Sequence, residues 1–383
     1  MTIKQFAFDT QQQLQASTGS TFKRSHIYEL LAAAFGFNSY AALATERVFT
    51  QNSITSRRPA KYGEQVGRRC LDLGYSPETA LKVAQALPEL LTKQDIGVIR
   101  IADLVVHLRF ETGRLDYMDR NEINDESMED EGALYSRWFD PGSSPPAILV
   151  DGLSAAAERG DAMAHYALAL IYAPSDDPFD EPSVGSEHWY NEEQNGRILS
   201  GVEKEWADEY AANMVREEKY VHHLRAAGKL GHEEALLEMA ERLDDPTFFE
   251  RPAALSPGID PARVAEIAEN LGRRKDAWLW LTEAAQRGDT EAMRELIEGY
   301  DRLNPQQCWS WVYLADLLGV DLFEDEYEAI NEDGSAYDDD VGGPLFVGGR
   351  GGIELEPIDA ASDQAARLTA AKLYQAIETQ DED

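Results

Sequence analysis

Apolar positions recur with a helical period along most of the chain. Thr21 to Phe35 places Phe22, Ile27, Leu30, Leu31 and Ala34 near one face, and Gly36 closes that segment. Asn38 or Ser39 can then cap a short helix through Leu43. Helical patterns follow over Lys61–Leu73, Pro77–Leu91 and Asp95–Phe110. Ser76 before Pro77 is a good start signal, because proline is tolerated in the first turn. The third of these segments, IGVIRIADLVVHLRF, is rich in β-branched residues. Its length and its Leu104–Leu108 spacing favour a buried helix over a strand. Residues 47–60 are polar and contain Pro59, which suits a linker or an extended segment. Further along, Val202–Gly228, Pro261–Leu271, Lys275–Gln286, Gln307–Gly319 and Asp359–Glu378 read as helices. Leu345-Phe346-Val347 and Ile353-Glu354-Leu355 flank a glycine-rich turn, which predicts a hairpin.

One stretch occurs three times: L-x-x-A-A-x-x-G-D-x-x-A-x-x-x-L-x-x-x-Y. The first copy carries Leu153, Ala156, Ala157, Gly160, Asp161, Ala164, Leu168 and Tyr172. Leu224, Ala227, Gly228, Gly231, His232, Ala235, Met239 and Leu243 mark the second, and Leu281, Ala284, Ala285, Gly288, Asp289, Ala292, Leu296 and Tyr300 the third. The pattern predicts helix, tight turn, helix. The glycine can end the first helix in the left-handed conformation, and the aspartate caps the second. His232 is expected to cap less well. A single pair cannot bury its apolar face alone, so neighbours should stack.

These residues resemble the Sel-one-like repeat, a short relative of the tetratricopeptide repeat. The resemblance implies an all-α, tetratricopeptide-like solenoid and a scaffold or adaptor role. The family's tryptophan ahead of the leucine is matched only by Trp280, with Gly152 and His223 in its place elsewhere. Gly160, Gly231 and Gly288 are unevenly spaced, so insertions interrupt the array. The expected division is an N-terminal helical domain (1–118), an acidic and proline-bearing linker (119–146), an irregular helical-repeat domain (147–330), and a C-terminal hairpin with a capping helix (331–383). Residues 173–199 form the longest interruption, with three prolines and many acids. Gln307–Gly319 looks like the first helix of a fourth, incomplete repeat that covers an open end.

Charge changes the picture in one respect. The 383 residues hold 35 Lys/Arg against 71 Asp/Glu, a net charge of −36. Residues 1–70 run the other way, with nine Lys/Arg against four acids. The acidic body repels nucleic acid and anionic membranes, while the basic head leaves one route to nucleic acid. No apolar run is long enough to span a bilayer, and MTIKQFAFDT has no signal-peptide apolar region. Two cysteines without partners at metal spacing fit a reduced, cytoplasmic protein.

Chemistry is sparse. Neither H-E-x-x-H nor G-x-S-x-G occurs, and VGGRGG lacks the Lys-Ser/Thr and helix start of a phosphate loop. Asp338, Asp339 and Asp340 miss calcium-loop spacing and read as a solvated turn. No catalytic residue, metal or cofactor is assigned. The expected function is a non-catalytic scaffold for a protein partner of unknown identity. Glu158, Arg225, Lys229, Glu283 and Gln286 are the candidate partner-facing residues on first helices, with Trp189 and Tyr190 as candidate anchors. Alternatives are a nucleic-acid-associated regulator acting through Arg57, Arg58, Arg68 and Arg69, or an acidic mimic that blocks a basic surface.

Overall fold

The structure, a computed structural model, describes residues 1–51, 62–111, 145–174, 185–251, 258–331 and 346–380. It is mainly α-helical, with two small antiparallel sheets among the described residues. None of the described helices is long and apolar enough to cross a membrane. The chain divides into two compact units, Met1–Leu236 and Leu237–Asp383.

The first unit opens with α1 (Ile3–Thr18), α2 (Arg24–Ala33) and α3 (Tyr40–Glu46), then β1 (Arg47–Gln51). After them come α4 (Gly63–Asp72), α5 (Pro77–Lys93), β2 (Ile96–Arg100) and α6 (Ile101–Glu111). Next are α7 (Ala147–Glu158), α8 (Ala162–Tyr172), α9 (Ser186–Gln194) and α10 (Val202–Lys229). The boundary between units falls inside α11 (Glu233–Leu243).

β1 and β2 are the main departure from the expected helices. They pair antiparallel, Arg47 opposite Arg100 and Phe49 opposite Val98. Ile96, Val98 and Ile99 are all buried, so side chains on both faces of β2 leave water. A continuous apolar run with no alternation is what a strand covered on both faces requires. Asp95 turns the chain out of α5 at φ +51°, and β2 can then meet β1. The helix expected over 95–110 therefore begins only at Ile101. Residues 47–51 resolve as a strand within the expected linker or extended segment. Phe49 is fully buried, with its ring 6.2 Å from Phe6 and 5.9 Å from Phe35.

α7 packs on this core. The Asp151 carboxylate accepts from the Ile3 N–H at 2.8 Å, and an Arg159 guanidinium N–H donates to the Ala44 carbonyl at 2.8 Å. A Cβ on Gly152 would lie 3.2 Å from the Val48 Cβ, so the helix rides against β1 with no room for a ring. The contacts thus join the first repeat helix to the N-terminal elements. Residues 119–144 of the expected linker lie outside the described residues.

All three repeat turns have the expected geometry. Gly160, Gly231 and Gly288 sit at φ +87°, +93° and +100°. In each, the residue after glycine donates its N–H to an alanine carbonyl five positions back: Asp161 to Ala156, His232 to Ala227, Asp289 to Ala284. The Asp161 and Asp289 carboxylates accept from Ala164 and Ala292 N–H groups at 3.0 Å. His232 caps too, its Nδ1 accepting from the Ala235 N–H at 3.3 Å.

The second unit contains the remainder of α11, a 3₁₀ turn Pro246–Glu250, α12 (Pro261–Asn270), α13 (Arg274–Gln286) and α14 (Thr290–Glu295). α14 runs into a π turn, Leu296–Tyr300, and α15 (Pro305–Leu317), β3 (Glu326–Ile330), β4 (Phe346–Arg350) and α16 (Ala360–Gln380) follow. α12 packs on α13 and α15 on α16. Asp301 closes the π turn, accepting from the indole N–H of Trp278 at 3.0 Å and of Trp311 at 2.9 Å.

The expected hairpin needs correction. β4 covers Phe346–Arg350 and pairs with β3, Glu326 opposite Arg350, whereas residues 353–355 form no strand. The glycines serve close approach. A Cβ on Gly349 would stand 1.8 Å from the Glu326 carbonyl oxygen, and one on Gly352 2.0 Å from that of Phe323. Asp338, Asp339 and Asp340 lie outside the described residues.

Candidate functional site

α10 is the longest helix among the described residues, and its burial is uneven. Tyr220, Leu224, Ala227 and Gly228 form its core stripe near the C-terminal end, with Ala207 buried near the start. Between them, six consecutive residues from Met214 to Lys219 are exposed. Arg216 and Lys219 reach back to the α8 end, Arg216 donating to the Ala173 carbonyl at 2.7 Å, and the face bearing Met214, Glu217 and Glu218 is left to solvent. Met214, Glu217, Glu218, Val221, His222 and Arg225 line a depression of about 520 Å³ there. Their spacing of three and four puts them on one face. The stripe offers two apolar side chains, two carboxylates, an imidazole and a guanidinium. That mixture suits recognition of a peptide surface with an apolar centre and charged rim.

Behind the stripe, α8 and α10 bring histidines together. His165 Nδ1 and His223 Nδ1 are 3.0 Å apart. One ring must donate and the other accept, so the contact requires a single shared proton. Burial pushes the His223 imidazole down to about 4, with His165, His222 and Lys219 adding to the effect. Burial also lowers His165, with His222 adding, while the Ala157 carbonyl and Asp161 act the other way. Tyr172 stacks on His223 at 6.1 Å, and the Lys219 ammonium sits 4.8 Å over the Tyr172 ring. Among the described residues no three His, Cys, Asp or Glu side chains gather to hold a metal. Burial raises the Cys70 and Cys308 thiols to about 11, which leaves them poor nucleophiles at neutral pH.

The residues singled out from sequence are scattered. Arg225 lines the depression, and Lys229 lies exposed one turn further along. Glu158 is exposed at the end of α7. In the second unit, Glu283 binds Arg287 at 2.9 Å and Gln286 is exposed. Trp189 and Tyr190 are half-buried and have partners in the α9–α10 corner. The Arg197 guanidinium covers the Trp189 ring at 4.8 Å, and Tyr190 meets Tyr210 at 5.4 Å. Met214, Glu217, Glu218, Val221 and His222 were missed. Their signal was the three-and-four spacing within M-x-x-E-E-x-x-V-H-x-x-R, which repeat alignment does not isolate.

The basic head is partly engaged internally. Arg69 pairs with Glu29, Arg68 meets Glu64 at 3.5 Å, and Arg24 and Arg47 lie over the rings of Phe8 and Phe37. Arg57 and Arg58 lie outside the described residues. No family model, curated protein or solved structure matches this chain.

Proposed function

We propose that this chain is a non-catalytic protein-interaction scaffold of the Sel-one-like, tetratricopeptide-like kind, and that a partner protein docks on the exposed face of α10. The open stripe of Met214, Glu217, Glu218, Val221, His222 and Arg225 carries the reading. Further support comes from the three like turns, each with the same glycine stop and capped second helix. A cytoplasmic setting fits the reduced cysteines. Less supports nucleic-acid binding by the head, since Arg69 already faces Glu29.

The test is a photo-cross-linking amino acid at Val221, compared with one at the highly exposed Leu303, in native cells. A single protein adduct from position 221, lost when Arg225→Glu is added, is expected. Adducts to nucleic acid, or equal labelling from both positions unaffected by Arg225→Glu, would sink the reading.

A further inference from the structure

The β3–β4 ribbon of the second unit is largely exposed, and one of its faces carries no charge. Side chains alternate across a strand, so Glu326, Arg350, Ile330 and Phe346 share one face, and Tyr327, Ala329, Val347 and Gly349 share the other. The Glu326–Arg350 end of the first face is tied to α14. Arg350 donates to Glu291 of α14 and to Glu326, and Arg294 of α14 donates to the Gly351 carbonyl at 3.0 Å. The uncharged face is turned outward, with Tyr327 59% and Val347 68% exposed. A surface ribbon normally presents polar residues to water and apolar ones to the body. Here Tyr327 and Val347 are presented to water instead.

The edge adds a second observation. β3 and β4 form a two-stranded sheet, so among the described residues each has a strand partner on one side only. An open β edge presents unpaired N–H and C=O groups, the template for an added strand. The stretch leading into β3 is acidic, with Asp321, Glu324, Asp325 and Glu326 all exposed. Its net negative charge opposes pairing with a second copy of the same strand and favours a cationic one.

We propose that the outer edge of β3 receives an extended basic peptide from a partner protein, added antiparallel or parallel as a third strand. Its apolar residues lie beside Tyr327 and Ala329, and its alternate Lys or Arg residues meet the exposed acids that lead into the strand, Glu324 and Asp325. This site is separate from the α10 stripe, and it extends the scaffold reading to a second partner contact of different chemistry.

The probe is a fluorescent peptide of about six residues, a common strand length, alternating Lys and Val. Two controls carry the same charge: one with alternate backbone amides N-methylated, and one with proline at alternate Val positions. The full chain is used throughout. Saturable binding of the alternating peptide is expected, weakened at least about tenfold by N-methylation or by Tyr327→Asp. Val347→Asp, on the same outward face, is expected to weaken it less, and Arg225→Glu not at all. Tyr327 is exposed, and unchanged circular dichroism of the variant verifies its fold. Equal binding of the proline or N-methylated peptide would overturn the proposal, since attraction to an acidic protein would then explain everything. So would self-association in sedimentation that Tyr327→Asp abolishes, which would assign the edge to a second copy. Loss of binding through Arg225→Glu would instead place the peptide on α10 and leave the scaffold reading intact.

Discussion

The two sheets of this molecule are the same size, and different forces hold them. β1–β2 and β3–β4 each pair five residues antiparallel. The first is a core element: Val48, Phe49, Val98 and Ile99 are buried, and aromatic rings from α1 and the α2 end close on Phe49. The second is exposed and is tied down by two arginines and by glycines where backbones approach. An isolated two-stranded ribbon is at best marginally stable in water, so each sheet needs help from outside itself. Apolar burial supplies that help in one case. In the other, Arg294, which is 1% exposed, donates to the carbonyls of Gly351 and Leu322. Pairing in a sheet therefore says little about what stabilises it.

Breaking each anchor tests the contrast, and the largest effect belongs to the core. Phe49→Ala removes a fully buried ring and should cost about 3–5 kcal/mol, read as a lower urea midpoint for the first unit. Tyr327→Ala in the ribbon should stay within about 0.5 kcal/mol. Arg294→Met keeps apolar bulk and removes both donors, leaving two carbonyls to find other partners. A loss of about 2 kcal/mol is expected, with faster hydrogen exchange confined to the ribbon and the residues after it. Gly352→Ala should cost about 1–3 kcal/mol and act at the same place, because its Cβ meets backbone that cannot rotate away. Exchange that spreads from either ribbon variant into α12 and α13 would show the ribbon to be part of the second unit's core.

Much of the helical content was legible, since period and end signals act locally. Ser76, Asp260 and Asn304 each accept from an N–H in the first turn of the helix they open. Pairing was not legible. β2 looks helical beyond Arg100 because it is continuous with α6, and only β1, 45 or more positions earlier, makes its first half a strand. Likewise Gly348 and Gly349 read as a turn, yet they lie inside β4 because Glu326–Ile330 approaches them. The glycine stop was also less specific than the repeat suggested. The same bond, from the residue after glycine to a carbonyl five back, closes helices at Gly36, Gly74, Gly196, Gly272 and Gly319. What marks the three copies is the cap that follows and the buried alanine three residues later: Ala164, Ala235 and Ala292. Of the candidate site, Arg225 was found through the repeat, while the stripe around it belongs to α10's own exposed stretch.

A further effect sharpens the contrast between units through pH. All seven histidines precede Leu237 and so belong to the first unit. The folded His223 imidazole sits near 4, below its ordinary 6.5, because it is buried beside His165, His222 and Lys219. An unfolded chain therefore takes up that proton first. The first unit should be unaffected above pH 6.5 and should lose stability as pH falls from there toward 4. Glu295 in the second unit has the opposite sign: burial and the carboxylates of Glu269, Asp289, Glu291 and Glu266 raise it, so acidification relieves a strain present at neutral pH. Calorimetry between pH 7 and 5 should lower the melting of the first unit by a few degrees and leave that of the second level or slightly higher. His223→Phe keeps a ring against Tyr172 and removes the titrating group. It should flatten the pH slope of the first unit, and a slope that survives it would place the acid sensitivity elsewhere than the His165–His223 contact.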